Sequence, residues 1–180
     1  MRILLVIDMQ KGSFTADTPR YDEKAVINKI NTLASAIRSD GGQVIFVQHD
    51  GTKEDKFYPG SWEWEILEEL HVAPQDQLLN KTANDSFYRT ELQSVLEKLR
   101  VKELIITGCA TDYCVDTTVR TALNHDYAVT VVKDAHTTAD RPHLSAKQVI
   151  VHHNWMWENM TPTEGQIRLL DCDELLTELA

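Results

Sequence analysis

Hydrophobic residues in this chain fall into short unbroken runs separated by stretches of helical spacing. Ile3-Leu4-Leu5-Val6-Ile7 shows no alternation, as expected of a strand covered on both faces in a parallel sheet. Val44-Ile45-Phe46-Val47, Leu104-Ile105-Ile106-Thr107 and Val129-Thr130-Val131-Val132 share that texture, and Gln77-Leu78-Leu79 is a weaker version of it. Between the first two runs, Val26, Ile30, Leu33, Ala34 and Ile37 recur as one helix face does, and Gly41-Gly42 supplies a stop. Leu92, Val95, Leu96 and Leu99 form a second stripe leading into the Leu104 run. Val115, Thr118, Val119, Ala122 and Leu123 form a third leading out of it. Strands alternating with helices predict a three-layer α/β/α domain around a mostly parallel, doubly wound sheet.

The polar, glycine-bounded segment from Gly51 to Pro59 reads as a loop, followed by a short amphipathic piece from Trp62 to Leu67. Another loop is expected from about Ala135 to Pro142, then a helix from Leu144 to Trp155. Ile167 to Leu170 and Asp173 to Leu176 suggest an edge strand and a last helix. There is no internal repeat, low-complexity tract or linker, so residues 1–180 are read as one domain, which suits a chain of 180 residues.

Charge narrows the partners. Eighteen basic against 28 acidic residues give a net charge of −10, which repels phosphate backbones and anionic lipid, and no local basic patch offsets it. Nucleic acid and membrane surfaces are therefore disfavoured; a small molecule or another copy of the chain is the expected partner. Asp8 interrupts the first apolar run too early for a signal-peptide core, and no stretch approaches a membrane span, which together suggest a cytoplasmic protein. Three cysteines, Cys109, Cys114 and Cys172, give no disulfide framework and raise the question of a reactive thiol.

In open α/β sheets ligands bind beyond the carboxyl ends of the strands, so residues just after each apolar run have first claim on chemistry. Asp8 follows the first run, Lys81 follows the weak Gln77 run, and Cys114 lies beyond Gly108 at the expected start of a helix. Singly, each has an ordinary explanation as a cap, a surface charge or a small buried residue. Together they fit a nucleophile with its activators. A helix N-terminus and a nearby ammonium both favour a thiolate, so Cys114 is expected to be nucleophilic near neutral pH. Asp8 could accept its proton and return it to a departing amine, and amides in the turn before the helix could hold an oxyanion.

The run Gly108-Cys109-Ala110-Thr111-Asp112-Tyr113-Cys114-Val115, with Asp8-Met9-Gln10 after the first strand and Lys81 before Ser86-Phe87, resembles the isochorismatase-like cysteine hydrolases. The resemblance spans nearly the whole chain. It implies a Cys-Asp-Lys triad at Cys114, Asp8 and Lys81, a non-proline cis peptide between Cys109 and Ala110, and an oxyanion hole from the amides of Ala110 and Cys114. It implies hydrolysis of a C–N bond in a small amide or ureide through a Cys114 thioester. Cleavage of a vinyl ether, or a catalytically silent binding protein of the same fold, are the alternatives. Gln10, Phe14, His49, Trp62, Phe87 and Tyr113 are the candidates for the substrate pocket. Nicotinamidases of this family place an Asp-x-His pair and a further His after the second strand to hold a metal. Here the order is Gln48-His49-Asp50-Gly51, so neither a metal nor another cofactor is expected. His152 and His153, being consecutive, point different ways on a helix and do not make a zinc pair. The resemblance and the apolar residues near 152–160 also suggest a homo-oligomer.

Overall fold

A computed structural model describes residues 1–162 and 164–180 and places every apolar run in one sheet. Its strands are β1 (Arg2–Ile7), β2 (Gln43–His49), β3 (Gln77–Lys81), β4 (Glu103–Cys109), β5 (Ala128–Thr137) and β6 (Gln166–Leu170). They lie in the order β3-β2-β1-β4-β5-β6, and all five pairings are parallel. The helices are α1 (Glu23–Ser39), α2 (Leu92–Lys98), α3 (Asp116–Asn124), α4 (Ala146–Glu158) and α5 (Cys172–Leu179).

Successive strand residues point to opposite faces, so β1 feeds two cores at once. Leu4 and Val6 join Phe46, Ile30, Leu33 and Leu175 on the α1/α5 side. Ile3, Leu5 and Ile7 join Leu92, Leu96, Val119 and Trp157 on the side of α2, α3 and α4. This is the expected three-layer arrangement. Burial on both faces also explains why the central runs show no alternation.

Three stretches differ from the pattern-based reading. β5 continues through Thr137, where a loop was expected from Ala135. Beyond a register shift, His136 pairs with Gly108 and Thr137 with Cys109. Lys133 and Asp134 interrupt the hydrophobic run, so pattern alone ends the strand early. The Trp62–Leu67 piece is a series of turns tied down by an isolated bridge between Ile66 and Gln10 and by the Leu67 amide on the Met9 carbonyl at 3.0 Å. β3 is an edge strand whose Leu78 is 58% exposed, which accounts for its weak apolar signal.

The strand order reverses between β1 and β4, and their carboxyl ends open the crevice in which such sheets bind ligands. Gly108 sets the closeness of that seam. Its φ of +118° is unfavourable for any side chain, and a Cβ there would lie 2.2 Å from the Ile7 carbonyl oxygen. Among the described residues no helix is long and apolar enough to cross a membrane.

Candidate active site

Asp8 is the first residue past β1. Its amide still donates to the Val47 carbonyl of β2 at 2.9 Å, and a left-handed φ of 47° turns the chain out of the sheet. Lys81 closes β3, and its carbonyl accepts from the Asp50 amide at 2.8 Å. Cys114 lies in a π-helical turn, Thr111–Val115, between β4 and α3. These three chain segments, far apart in sequence, converge at the switch point.

The ammonium of Lys81 organises the group. It contacts Asp8 Oδ2 at 2.7 Å, the Ala83 carbonyl at 2.9 Å and Cys114 Sγ at 3.3 Å, so its three protons face three acceptors. Lys81 is 1% exposed and Asp8 6%. Burial opposes the Lys81 charge, but the Asp8 carboxylate and Cys114 outweigh it and hold the ammonium above its ordinary pKa. Asp8 Oδ1, by contrast, is buried without a hydrogen-bond partner among the described residues.

The thiol is not the ready thiolate expected from its neighbours. Burial, and then the Asp8 carboxylate, push the Cys114 pKa well above the usual thiol range, and Lys81 only partly offsets them. The helix start and the ammonium are present, but desolvation and the adjacent carboxylate win. Cys114 therefore rests as a neutral thiol, with Asn84 Oδ1 3.7 Å from its sulfur.

A cavity of about 510 Å³ opens over this group. Of the residues expected to surround it, Asp8, Gln10, His49, Ala110, Tyr113 and Cys114 line it. Gln10 contributes as scaffold. Its amide donates to the carbonyls of His49 and Trp64 and accepts from the His49 amide, so the side chain is fully engaged. Phe14, Trp62 and Phe87 are not in the lining. Phe14 and Trp62 border a separate surface groove, with Trp62 59% exposed. Phe87 is buried on the α2/α3 side and stacks on His125 and Tyr127. Adjacency in sequence to Asp8 and Lys81 suggested Phe14 and Phe87, and a position after the β2 loop suggested Trp62; the direction of their side chains takes all three away from the cavity.

The Cys109–Ala110 peptide bond is cis, at the position the resemblance implied. Among the described residues the Ala110 amide donates no hydrogen bond, while its carbonyl accepts from the amides of Tyr113 and Val115 at 3.0 and 3.1 Å. Two braces hold the following turn. Asp112 accepts from Arg141 at 2.7 and 2.8 Å and from Thr138 Oγ1 at 2.7 Å, and the Arg141 guanidinium lies 5.0 Å from the centre of the Tyr113 ring. On the buried side Thr111 Oγ1 meets His136 Nδ1 at 2.8 Å, and His136 Nε2 meets Asn154 Oδ1 at 2.9 Å. Asn154 uses its NH2 on the Lys133 carbonyl, so its oxygen must accept from His136 Nε2–H and the Thr111 hydroxyl must donate to Nδ1. Burial, the dominant cause, lowers the His136 pKa to about 4 and keeps the ring neutral.

The loop after β2 does not assemble a ligand set. His49 Nε2 lies 3.5 Å from Glu54, its Nδ1 is buried without a partner, and Asp50 accepts from the amide and hydroxyl of Thr52 instead. Among the described residues no three His, Cys, Asp or Glu side chains converge as a metal would need. Sequence reasoning passed over Arg20, Phe57 and Asn84 in the cavity wall, and the His136 and Arg141 braces. A glycine was the available signal for Phe57. A Cβ on Gly12 would lie 2.8 Å from the Phe57 ring and from Glu63, so that position must stay bare for the wall to close.

The fold is a doubly wound parallel α/β sheet with a buried carboxylate and ammonium and a half-buried thiol gathered under a cavity at its switch point. Residues 2–165 match the model of the isochorismatase domain, and the chain belongs to the isochorismatase family. It is 32% identical over 142 residues to a streptothricin hydrolase of Streptomyces noursei, covering 79% of this chain but only about half, 51%, of that protein. It is 37% identical over 76 residues to the ureidoacrylate amidohydrolase RutB of Caulobacter vibrioides, covering 42% of this chain and 34% of that one. A crystal structure of an isochorismatase family protein superposes with a TM-score of 0.84 at 34% identity, covering 93% of this chain and 97% of the other.

Proposed function

We propose that this chain is a cysteine hydrolase that cleaves the C–N bond of a small amide or ureide, with Cys114 as nucleophile. One observation carries the reading: Lys81 holds Asp8 and Cys114 together by two of its protons, while the second Asp8 oxygen is buried without a partner among the described residues. That oxygen is a base with one vacancy. The names of the streptothricin hydrolase and the ureidoacrylate amidohydrolase support hydrolysis of this kind.

In this reading the neutral thiol gives its proton to Asp8 as sulfur attacks the carbonyl carbon, so the anion forms only when it is consumed. The carbonyl oxygen becomes an oxyanion held by the Ala110 and Cys114 amides. Collapse breaks the C–N bond, and the proton on Asp8 passes to the departing nitrogen. Water then gives a proton to the restored carboxylate and attacks the thioester; collapse of that intermediate returns the proton to sulfur and releases the acid. Lys81 stays protonated throughout and faces the Asp8 carboxylate in the resting and thioester states, while the negative charge sits on the oxyanion in between.

Ammonia release from a panel of small amides and ureides tests this, with C114S alongside. Turnover by the parent and none by C114S supports the reading. Turnover retained in C114S, or a covalent adduct on another residue in mass spectra of quenched reactions, overturns it.

A further inference from the structure

Arg20 reaches the cavity from the segment between β1 and α1. Its Nε donates to the Ser13 carbonyl at 2.6 Å, and its guanidinium lies 5.9 Å from the centre of the Phe14 ring. The head group is thus anchored at one nitrogen while its two terminal nitrogens make no hydrogen bond among the described residues. Arg2, Arg38, Arg120, Arg141 and Arg168 each pair with a carboxylate. Arg89 and Arg100 do not, but they are exposed to water. Arg20 alone is half-buried and unpaired among the described residues, in a chain with net charge −10 that has carboxylates to spare.

The acidic groups of the cavity have protein partners. Asp8 faces Lys81, Glu54 lies against His49, and Glu63 accepts from the Phe57 amide at 3.0 Å. Among the described residues Arg20 and Lys56, the cationic side chains of the lining, are paired with no carboxylate, and of the two Arg20 is the half-buried one. Arg20 also lies on the side of the nucleophile's turn. Burial raises the Cys109 thiol to about 11, and the foremost charge opposing that rise is Arg20's. Cys109 directly precedes Ala110, and both line the same cavity.

We propose that Arg20 binds a carboxylate of the substrate, so that the pocket selects small amides or ureides bearing an acid group. A guanidinium fixed at Nε presents its remaining donors as a planar fork, the geometry that grips a carboxylate through two hydrogen bonds. The word substrate rests on the amide-hydrolase reading above; the binding of an anion beside Cys114 does not.

The decisive measurement is protection of Cys114 from iodoacetamide at fixed pH, followed by mass spectrometry. N-carbamoyl-β-alanine and its uncharged primary amide serve as a matched pair of probes. The acid is expected to protect at a concentration about tenfold or more below that needed by the amide, the scale of a charge-assisted pair. R20Q should bring the two within about twofold, and R20K should keep part of the preference because it keeps the charge but loses the fork. Equal protection by acid and amide in the parent, no protection by either, or an unchanged preference in R20Q that unfolds at the parent temperature would each overturn the proposal. Ammonia release is scored separately. Protection by the acid with no turnover of any amide sinks the hydrolase reading and leaves the Arg20 site standing, whereas turnover with no preference for acids does the reverse.

Discussion

Asp8 and Lys81 stand at strand ends, where sheet pairing dictates their spacing, and Cys114 in the turn that follows β4, whereas Arg20, Lys56 and Phe57 reach the same cavity from the loops after β1 and β2. The two regions differ in burial as much as in origin. Lys81 is almost completely enclosed, while Lys56 and Glu54 at the rim are exposed. The floor is held by an ion pair removed from water; the wall is held by single hydrogen bonds and ring contacts such as Arg20 on Ser13 and Phe57 against His49. Such a division lets chemistry and selectivity vary separately, because a change in the wall leaves the buried charges matched.

The contrast can be broken at the floor first. C114S is expected to lower turnover by about 10³-fold or more, since the alcohol is a far poorer nucleophile beside the same carboxylate, and thermal unfolding should stay near that of the parent. K81M should act on both stability and rate. It leaves the buried Asp8 carboxylate without its counter-charge, which costs about 3–5 kcal/mol, so denaturant midpoints should fall together with activity. A folded K81M protein of unchanged stability and rate would show that the floor does not depend on its ion pair.

The brace beneath the Thr111–Val115 turn gives an intermediate effect that pH exposes. His136 is neutral in the fold with a pKa of about 4, against 6.5 when free. Its neutral form therefore contributes stability that is complete above about 6.5 and is lost as pH falls towards 4, about 3 kcal/mol in all for one group. Urea unfolding between pH 7 and 4.5 should show that decline, and H136Q should flatten it. An identical slope in H136Q would assign the acid sensitivity to other groups. At the wall, W62A should change kcat/KM by less than about twofold, because the ring is exposed and borders a different groove. A large loss there would mean that the outer loop closes over the cavity during turnover.

What was legible in the chain follows the same division. The four apolar runs, the weaker Gln77 run and the three helical stripes are local signals, and they place Asp8 and Lys81 at strand ends and Cys114 in the turn between β4 and α3. The Cys109–Ala110 stretch is a contiguous motif and could be read directly. The wall was read poorly because its contacts join residues far apart in sequence: Gln10 to His49, Asp112 to Arg141, Thr111 to His136. No periodicity encodes those pairings. Closeness to Asp8 and Lys81 along the chain pointed to Phe14 and Phe87, and the loop after β2 pointed to Trp62, but the packing of each ring turns it elsewhere. The expectation of a ready thiolate failed for a related reason. A helix start and a lysine can be read from sequence, but the desolvation that outweighs them exists only once the chain is folded.

Gly108 has a consequence for how new specificities arise on this scaffold. Because β4 seats its bare α-carbon against the Ile7 main chain, the separation between the strand that leads to Asp8 and the strand that leads to Cys114 is a backbone measurement, with no side chain acting as spacer. Loop insertions or exchanges at 10–20 and 49–63 can then remodel the wall while that ruler stays unchanged. A library that randomises those two loops and keeps Gly108 fixed would sample new ligands on constant chemistry; one that varies Gly108 would shift the ruler itself.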